Sequence, residues 1–201
     1  MREGFLLLTS TGLSAKAVAE KMTAVFLDRK KGAVAIVTTA AEGKENNKYA
    51  KLAREQFSTF GFQRIDFIDL ESEPDKDLSC YDVIYVCGGD TFKLLAFAKR
   101  TGFGSSIKAL LKRGGIYIGV SAGSIIVGSL AMIAEEVLEE SSAYREDPAG
   151  LDIIKATILP HYSTDIESRV EAFETKYRVH IERVSDSQAL LVRGGQKIMI
   201  E

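Results

Sequence analysis

At 201 residues, 46% hydrophobic and 27% charged, the chain has the make-up of one folded domain spanning residues 1–201, which excludes disordered, collagen-like and disulfide-scaffold classes. Its 28 acids against 26 bases leave a net charge of −2, with no basic footprint for nucleic acid or an anionic membrane surface. Two cysteines and two histidines are too few for a disulfide framework or a zinc finger.

Met1-Arg2-Glu3-Gly4, followed by the short run Phe5-Leu6-Leu7-Leu8, lacks the long apolar region of a signal peptide, so a reduced, cytoplasmic compartment is expected. Phe5 to Thr9 reads as an apolar strand, and Ser10-Thr11-Gly12 as a turn with helix-capping chemistry. Helical spacing follows from Leu13 to Leu27, closed by Arg29-Lys30-Lys31-Gly32. Ala33 to Thr38 is a second buried strand. Glu42 to Phe60 is an amphipathic helix with Tyr49, Ala53, Phe57 and Phe60 on one face, stopped by Gly61. Ile65 to Ile68 and Val83 to Cys87 are short strands, and Thr91 to Lys99 and Ser105 to Arg113 are helical. Gly114 to Ala134 carries no charge, long enough to suggest a membrane span, but its five glycines favour a buried strand to Val120 and a buried helix from about Ala122. Ile166, Val170, Phe173 and Tyr177 mark a further helix, and Ala189 to Ile200 folds back at Gly194-Gly195 as a hairpin. Strands alternating with helices imply an α/β fold, a mostly parallel sheet with helices on both faces, whose ligand site lies beyond the strands' carboxyl ends.

That rule directs attention to the residues after Cys87 and after Val120. Gly119-Val120-Ser121-Ala122-Gly123 matches G-x-S-x-G between a strand and a helix, the setting of a nucleophile elbow, where a strained turn requires small neighbours. Gly88-Gly89-Asp90-Thr91 lets the backbone approach a ligand, and Asp90 or Thr91 can cap the next helix. In a hydrolase, Gly89 and Ala122 would supply the oxyanion amides. A serine nucleophile needs a base. Of the two histidines, His161 follows Ile158-Leu159-Pro160 at a strand end, whereas His180 lies beside an amphipathic element and reads as structural. If the acid lies between serine and histidine, Glu135, Glu136, Glu139, Glu140, Glu146, Asp147 and Asp152 all qualify by order.

Together, Gly88-Gly89-Asp90-Thr91-Phe92, Gly119-Val120-Ser121-Ala122-Gly123 and Pro160-His161-Tyr162 resemble the peptidase E family, the dipeptidase E and cyanophycinase group of serine hydrolases. The similarity extends to the start, Leu7-Leu8-Thr9-Ser10-Thr11. It implies a fold like class I glutamine amidotransferases, related to the flavodoxin-like scaffold, with serine at the elbow. It also implies Ser121 as nucleophile, His161 as base, and Gly89 with Ala122 as oxyanion donors. A gap-free count from Ser121 carries the family's acid to Glu136; counting back from His161 favours Glu139. Dipeptidase E selects an N-terminal aspartate with an arginine beyond the histidine loop, for which Arg169 is the nearest candidate here.

The expected activity is hydrolysis of a small peptide, or a related amide, through a Ser-His-Glu triad, with no cofactor, no metal, no nucleic acid and no membrane partner. Oligomeric state is not legible. The rival of another class is a regulatory protein holding a small anion on the Gly88-Gly89 loop. A cysteine-based hydrolase using Cys87 is a weaker rival, because no elbow follows that residue.

Overall fold

A seven-stranded sheet runs in the order 64–68, 33–37, 83–86, 116–120, 5–9, 189–193 and 196–200, its five inner strands mainly apolar and buried and its two edge strands partly exposed. The computed structural model describes residues 3–27, 32–144 and 147–201. The basic turn expected at Arg29, Lys30 and Lys31 and the candidate acid Glu146 lie outside the described residues. Strands β1 (Phe5–Thr9), β2 (Ala33–Val37), β3 (Arg64–Ile68), β4 (Val83–Val86) and β5 (Ile116–Val120) run parallel. The terminal hairpin β8 (Ala189–Arg193) and β9 (Gln196–Ile200) adds antiparallel to β1. Its Gly194-Gly195 turn has φ of +55° and +79°, the left-handed pair that a two-residue hairpin requires.

Alternation along each strand divides the core in two. Phe5 and Leu7 of β1 and Val34 and Ile36 of β2 face α1 (Lys16–Phe26) and α2 (Lys48–Thr59). Leu6, Leu8, Ala35 and Val37 face α3 (Thr91–Arg100) and α4 (Phe103–Lys112). Fully burying such a side chain contributes about 1.5–3 kcal/mol, which is why strands covered on both sides are apolar throughout. The mostly parallel α/β sheet with helices on both faces is the expected architecture. Among the described residues no helix is long and apolar enough to cross a membrane.

Three local expectations are corrected. Helix α1 starts at Lys16 rather than Leu13, because Ser10 and Thr11 spend their hydroxyls on distant loops instead of capping it. Tyr49 is 64% exposed; the inner face of α2 is Ala50, Ala53 and Phe57. The uncharged run after Ser121 is not one helix. It holds α5 (Ala122–Ile125), a turn, and α6 (Ile133–Glu136). A Cβ on Gly128 would lie 2.5 Å from the Ala156 carbonyl, and Ser129 N–H donates to that same oxygen. The chain therefore leaves the helix to bond with the 149–156 segment. Beyond it, β6 (Thr157–Leu159) and β7 (Ile181–Arg183) pair in parallel across α7 (Glu167–Tyr177).

Candidate active site

β1, β4 and β5 are neighbours, so Ser10, Gly88 and Ser121 all emerge at one carboxyl edge of the sheet. Ser121 has φ of +51° and ψ of −111°, a backbone that side-chain-bearing residues rarely adopt. Its glycine neighbours have steric reasons. A Cβ on Gly119 would sit 2.5 Å from the Gly123 carbonyl, and one on Gly123 would sit 2.7 Å from the Val86 carbonyl of β4. The turn is latched from β1. Thr9 C=O accepts from Ser121 N–H at 2.9 Å, and the buried Ser124 hydroxyl donates to Thr9 C=O at 2.8 Å. Helix α5 is a single turn, so it offers the site its free first amides rather than a developed helix dipole.

His161 follows β6 with φ of +56° and points its ring at the elbow, Nε2 standing 3.0 Å from Ser121 Oγ. Its Nδ1 lies 2.7 Å from Asp186 Oδ1. Ser121, His161 and Asp186 thus form one hydrogen-bonded line. Sequence reasoning missed Asp186, having searched only between serine and histidine. The cause is strand pairing: β6 and β7 are parallel with Leu159 opposite Arg183, so both chains leave the pair at the same end. Tyr162 N–H donates to Val184 C=O at 3.1 Å, which holds the two exit loops side by side. A signal was available in the sequence, since Ser185-Asp186-Ser187 is a short polar interruption between apolar Val184 and Ala189-Leu190.

The Gly88-Gly89 loop packs directly on the elbow. A Cβ on Gly88 would lie 2.9 Å from Ser121 Cβ. Gly89 has φ of +135°, and a Cβ there would lie 2.0 Å from the Ala40 carbonyl, so any side chain displaces the loop. Gly88 is thus the loop residue packed on the elbow, with Gly89 next to it in the chain. Asp90 caps α3 through Lys93 N–H at 2.9 Å, and its other oxygen accepts from Ser142 Oγ at 2.8 Å. Glu140 accepts from both Thr91 N–H and Thr91 Oγ1, the latter at 2.7 Å.

Burial raises the Glu140 carboxyl above its ordinary range and Asp90 adds to the effect, although the Thr91 bonds oppose it. A pKa raised by folding means a contribution to stability that is present below the unfolded value and lost as pH rises through the folded one. Gln at this position can accept Thr91 N–H and donate to Thr91 Oγ1 without a buried charge. Glu140→Gln is therefore expected to melt no lower than wild type at about pH 8, with any advantage vanishing toward about pH 4. A lower Tm at the higher pH contradicts this account.

The remaining sequence candidates go elsewhere. Glu136 does not face His161: both its oxygens lie 2.9 Å from Lys176 Nζ, and Tyr177 O–H donates to it from α7. Burial alone would raise its carboxyl, but the bonds from Tyr177 and Lys176 hold it below its usual range. Glu139, the alternative acid, lies 2.7 Å from Arg169 Nη1. That pair joins the candidate acid to the candidate substrate arginine, which is part of α7. His180 is exposed and sits 3.4 Å from Glu174. Cys87 is buried, which pushes its thiol up to about 12, so at neutral pH it is protonated and a poor nucleophile.

Residues 5–200 match the family model for peptidase family S51. An uncharacterized peptidase of Listeria monocytogenes is 27% identical over 173 residues, covering 82% of this chain and 84% of that protein. One of Pasteurella multocida is 29% identical over 175 residues, covering 83% and 84%. The crystal structure of a Listeria monocytogenes protein provisionally assigned as a peptidase E superposes with TM-score 0.75 at 27% identity, over 99% of this chain and 98% of that one. A peptidase from an acI-B1 Actinobacterium shares the fold, with TM-score 0.69 at 19% identity over 98% of this chain and 87% of that one.

Proposed function

The chain belongs to peptidase family S51 and is a serine-type peptidase, and from that premise we propose that Ser121, His161 and Asp186 are its catalytic triad, cleaving small peptides. Ser121 Oγ attacks the scissile carbonyl carbon while His161 Nε2 takes its proton. Asp186 accepts Nδ1–H, selecting the tautomer with a free Nε2 lone pair and stabilising the imidazolium that forms. The carbonyl oxygen, now negative, is received by the Gly89 and Ala122 amides. His161 then hands its proton to the departing amine, and water, deprotonated by the same nitrogen, releases the acyl group from Ser121.

The observation that carries this reading is the hydrogen-bonded line itself, with Nε2 at 3.0 Å from Ser121 Oγ and Nδ1 at 2.7 Å from Asp186. Such a relay has no use in a protein that merely holds an anion. Recognition of an N-terminal aspartate by Arg169 would require breaking the 2.7 Å pair with Glu139, so substrates with neutral N-terminal residues are expected to be cleaved as well. A panel of dipeptides and N-acyl peptides tests the reading. Turnover of at least one peptide, together with stoichiometric fluorophosphonate labelling at Ser121, is the expected result. Failure of Ser121 to label would sink the serine mechanism for this chain.

A further inference from the structure

The end of β1 contributes three consecutive residues to the site, and none has a role in the proposed chemistry. Thr9 C=O takes the Ser121 amide at 2.9 Å. Ser10 Oγ accepts His161 N–H at 2.8 Å and directs its single proton at the carbonyls of Val184 and Ser185, at 3.0 and 3.1 Å. Thr11 Oγ1 donates to Asp186 C=O at 2.8 Å. One tripeptide thereby touches the backbone of each member of the line in turn.

The bonds matter because packing cannot orient these groups. The side chains of His161 and Asp186 are 41% and 66% exposed, so few neighbours confine their rotamers. Their directions must be set from the backbone beneath. That backbone is itself unusual at His161, where φ of +56° persists only if the surroundings hold it. Ser10, at 2% exposure, is a buried group hydrogen-bonded to it. A hydroxyl is the chemistry required, because it must accept an amide and donate to a carbonyl at once.

We infer that Ser10 is a positioning residue that sets His161 against Asp186 and Ser121, with Thr11 placing the Asp186 backbone. This rests on the triad reading above. Ser10→Ala removes the one hydroxyl that ties His161 N–H to the Val184 and Ser185 carbonyls; the Tyr162–Val184 bond still pairs the two loops, but His161 loses the contact that fixes its height above the end of β1. Displacements of about 1 Å in catalytic groups can cost on the order of 10²-fold.

The test measures kcat, KM, Tm and the downfield proton resonance of His161 Nδ1–H on the full chain, for Ser10→Ala, Thr11→Val and Thr11→Ser. Ser10→Ala is expected to lower kcat about 10- to 100-fold with KM within about threefold, and to broaden or shift the resonance. Thr11→Val is expected to lose about 3- to 10-fold in kcat, and Thr11→Ser, which keeps the hydroxyl, to recover it. A folded Ser10→Ala with wild-type kcat and an unchanged resonance overturns the inference, as does a loss confined to KM. Should Ser10→Ala fail to fold, the Thr11 pair decides: equal activity of Val and Ser variants overturns it. Ser121→Ala is the control that separates the two levels. If it stays active the triad reading fails and this inference with it; if it is inactive while Ser10→Ala and Thr11→Val are unimpaired, only the positioning role fails.

Discussion

Ser121→Ala and His161→Ala are each expected to lower kcat by about 10⁴-fold or more while leaving the fold in place. The size follows from what each removes. Without Oγ there is no nucleophile, and without the imidazole the one hydrogen-bond partner of Oγ among the described residues, Nε2 at 3.0 Å, is gone. Residual activity would come from the proposed oxyanion amides and substrate binding. Stability should change little. The His161 side chain is 41% exposed, and surface truncations of this kind are typically within about 0.5 kcal/mol. Ser121 keeps its unusual backbone with Ala as with Ser, because both carry a Cβ. The measurements are single-turnover and steady-state kinetics on whichever peptide the panel identifies, with Tm recorded alongside. Near-normal turnover by Ser121→Ala on any peptide would end the serine mechanism.

Asp186→Asn is expected to cost up to about 10⁴-fold in kcat, whereas Glu136→Gln and Glu139→Gln remain near wild type. Asn offers an NH₂ where the carboxylate offered an acceptor. The imidazole is then favoured in the tautomer that carries its proton on Nε2, unable to take one from serine. Glu136 and Glu139 instead serve the packing of α7, one through Lys176 and Tyr177, the other through Arg169. Their replacement removes exposed or half-buried ion pairs worth about 0–1 kcal/mol each. The three variants assayed side by side discriminate sharply. A crippled Glu136→Gln beside an active Asp186→Asn would restore the acid expected from the gap-free count and displace the line seen here.

The sequence by itself determined the sheet's parallel strands, the elbow at Ser121, the double-glycine loop and the histidine at a strand end. These are local facts. A strand buried on both faces is apolar along nearly its whole length, and a turn as tight as the elbow excludes side chains at Gly119 and Gly123, whose added Cβ atoms would meet backbone at 2.5 and 2.7 Å. Each constraint acts within a few residues of its cause and leaves its mark in composition. Asp186 left only a faint mark, the polar interruption Ser185-Asp186-Ser187 ahead of Ala189-Leu190. Asp186 is one carboxylate among 28 acidic residues, and it reaches His161 because two three-residue strands, β6 and β7, pair in parallel across α7. Ser10 and Thr11 were similarly opaque. A serine and a threonine before a helix read as caps, and only the folded chain brings loops 161 and 184–186 within reach of their hydroxyls. Tertiary structure decided these pairings because a hydrogen bond between distant segments constrains the two partners' positions in space, and leaves no period in the sequence.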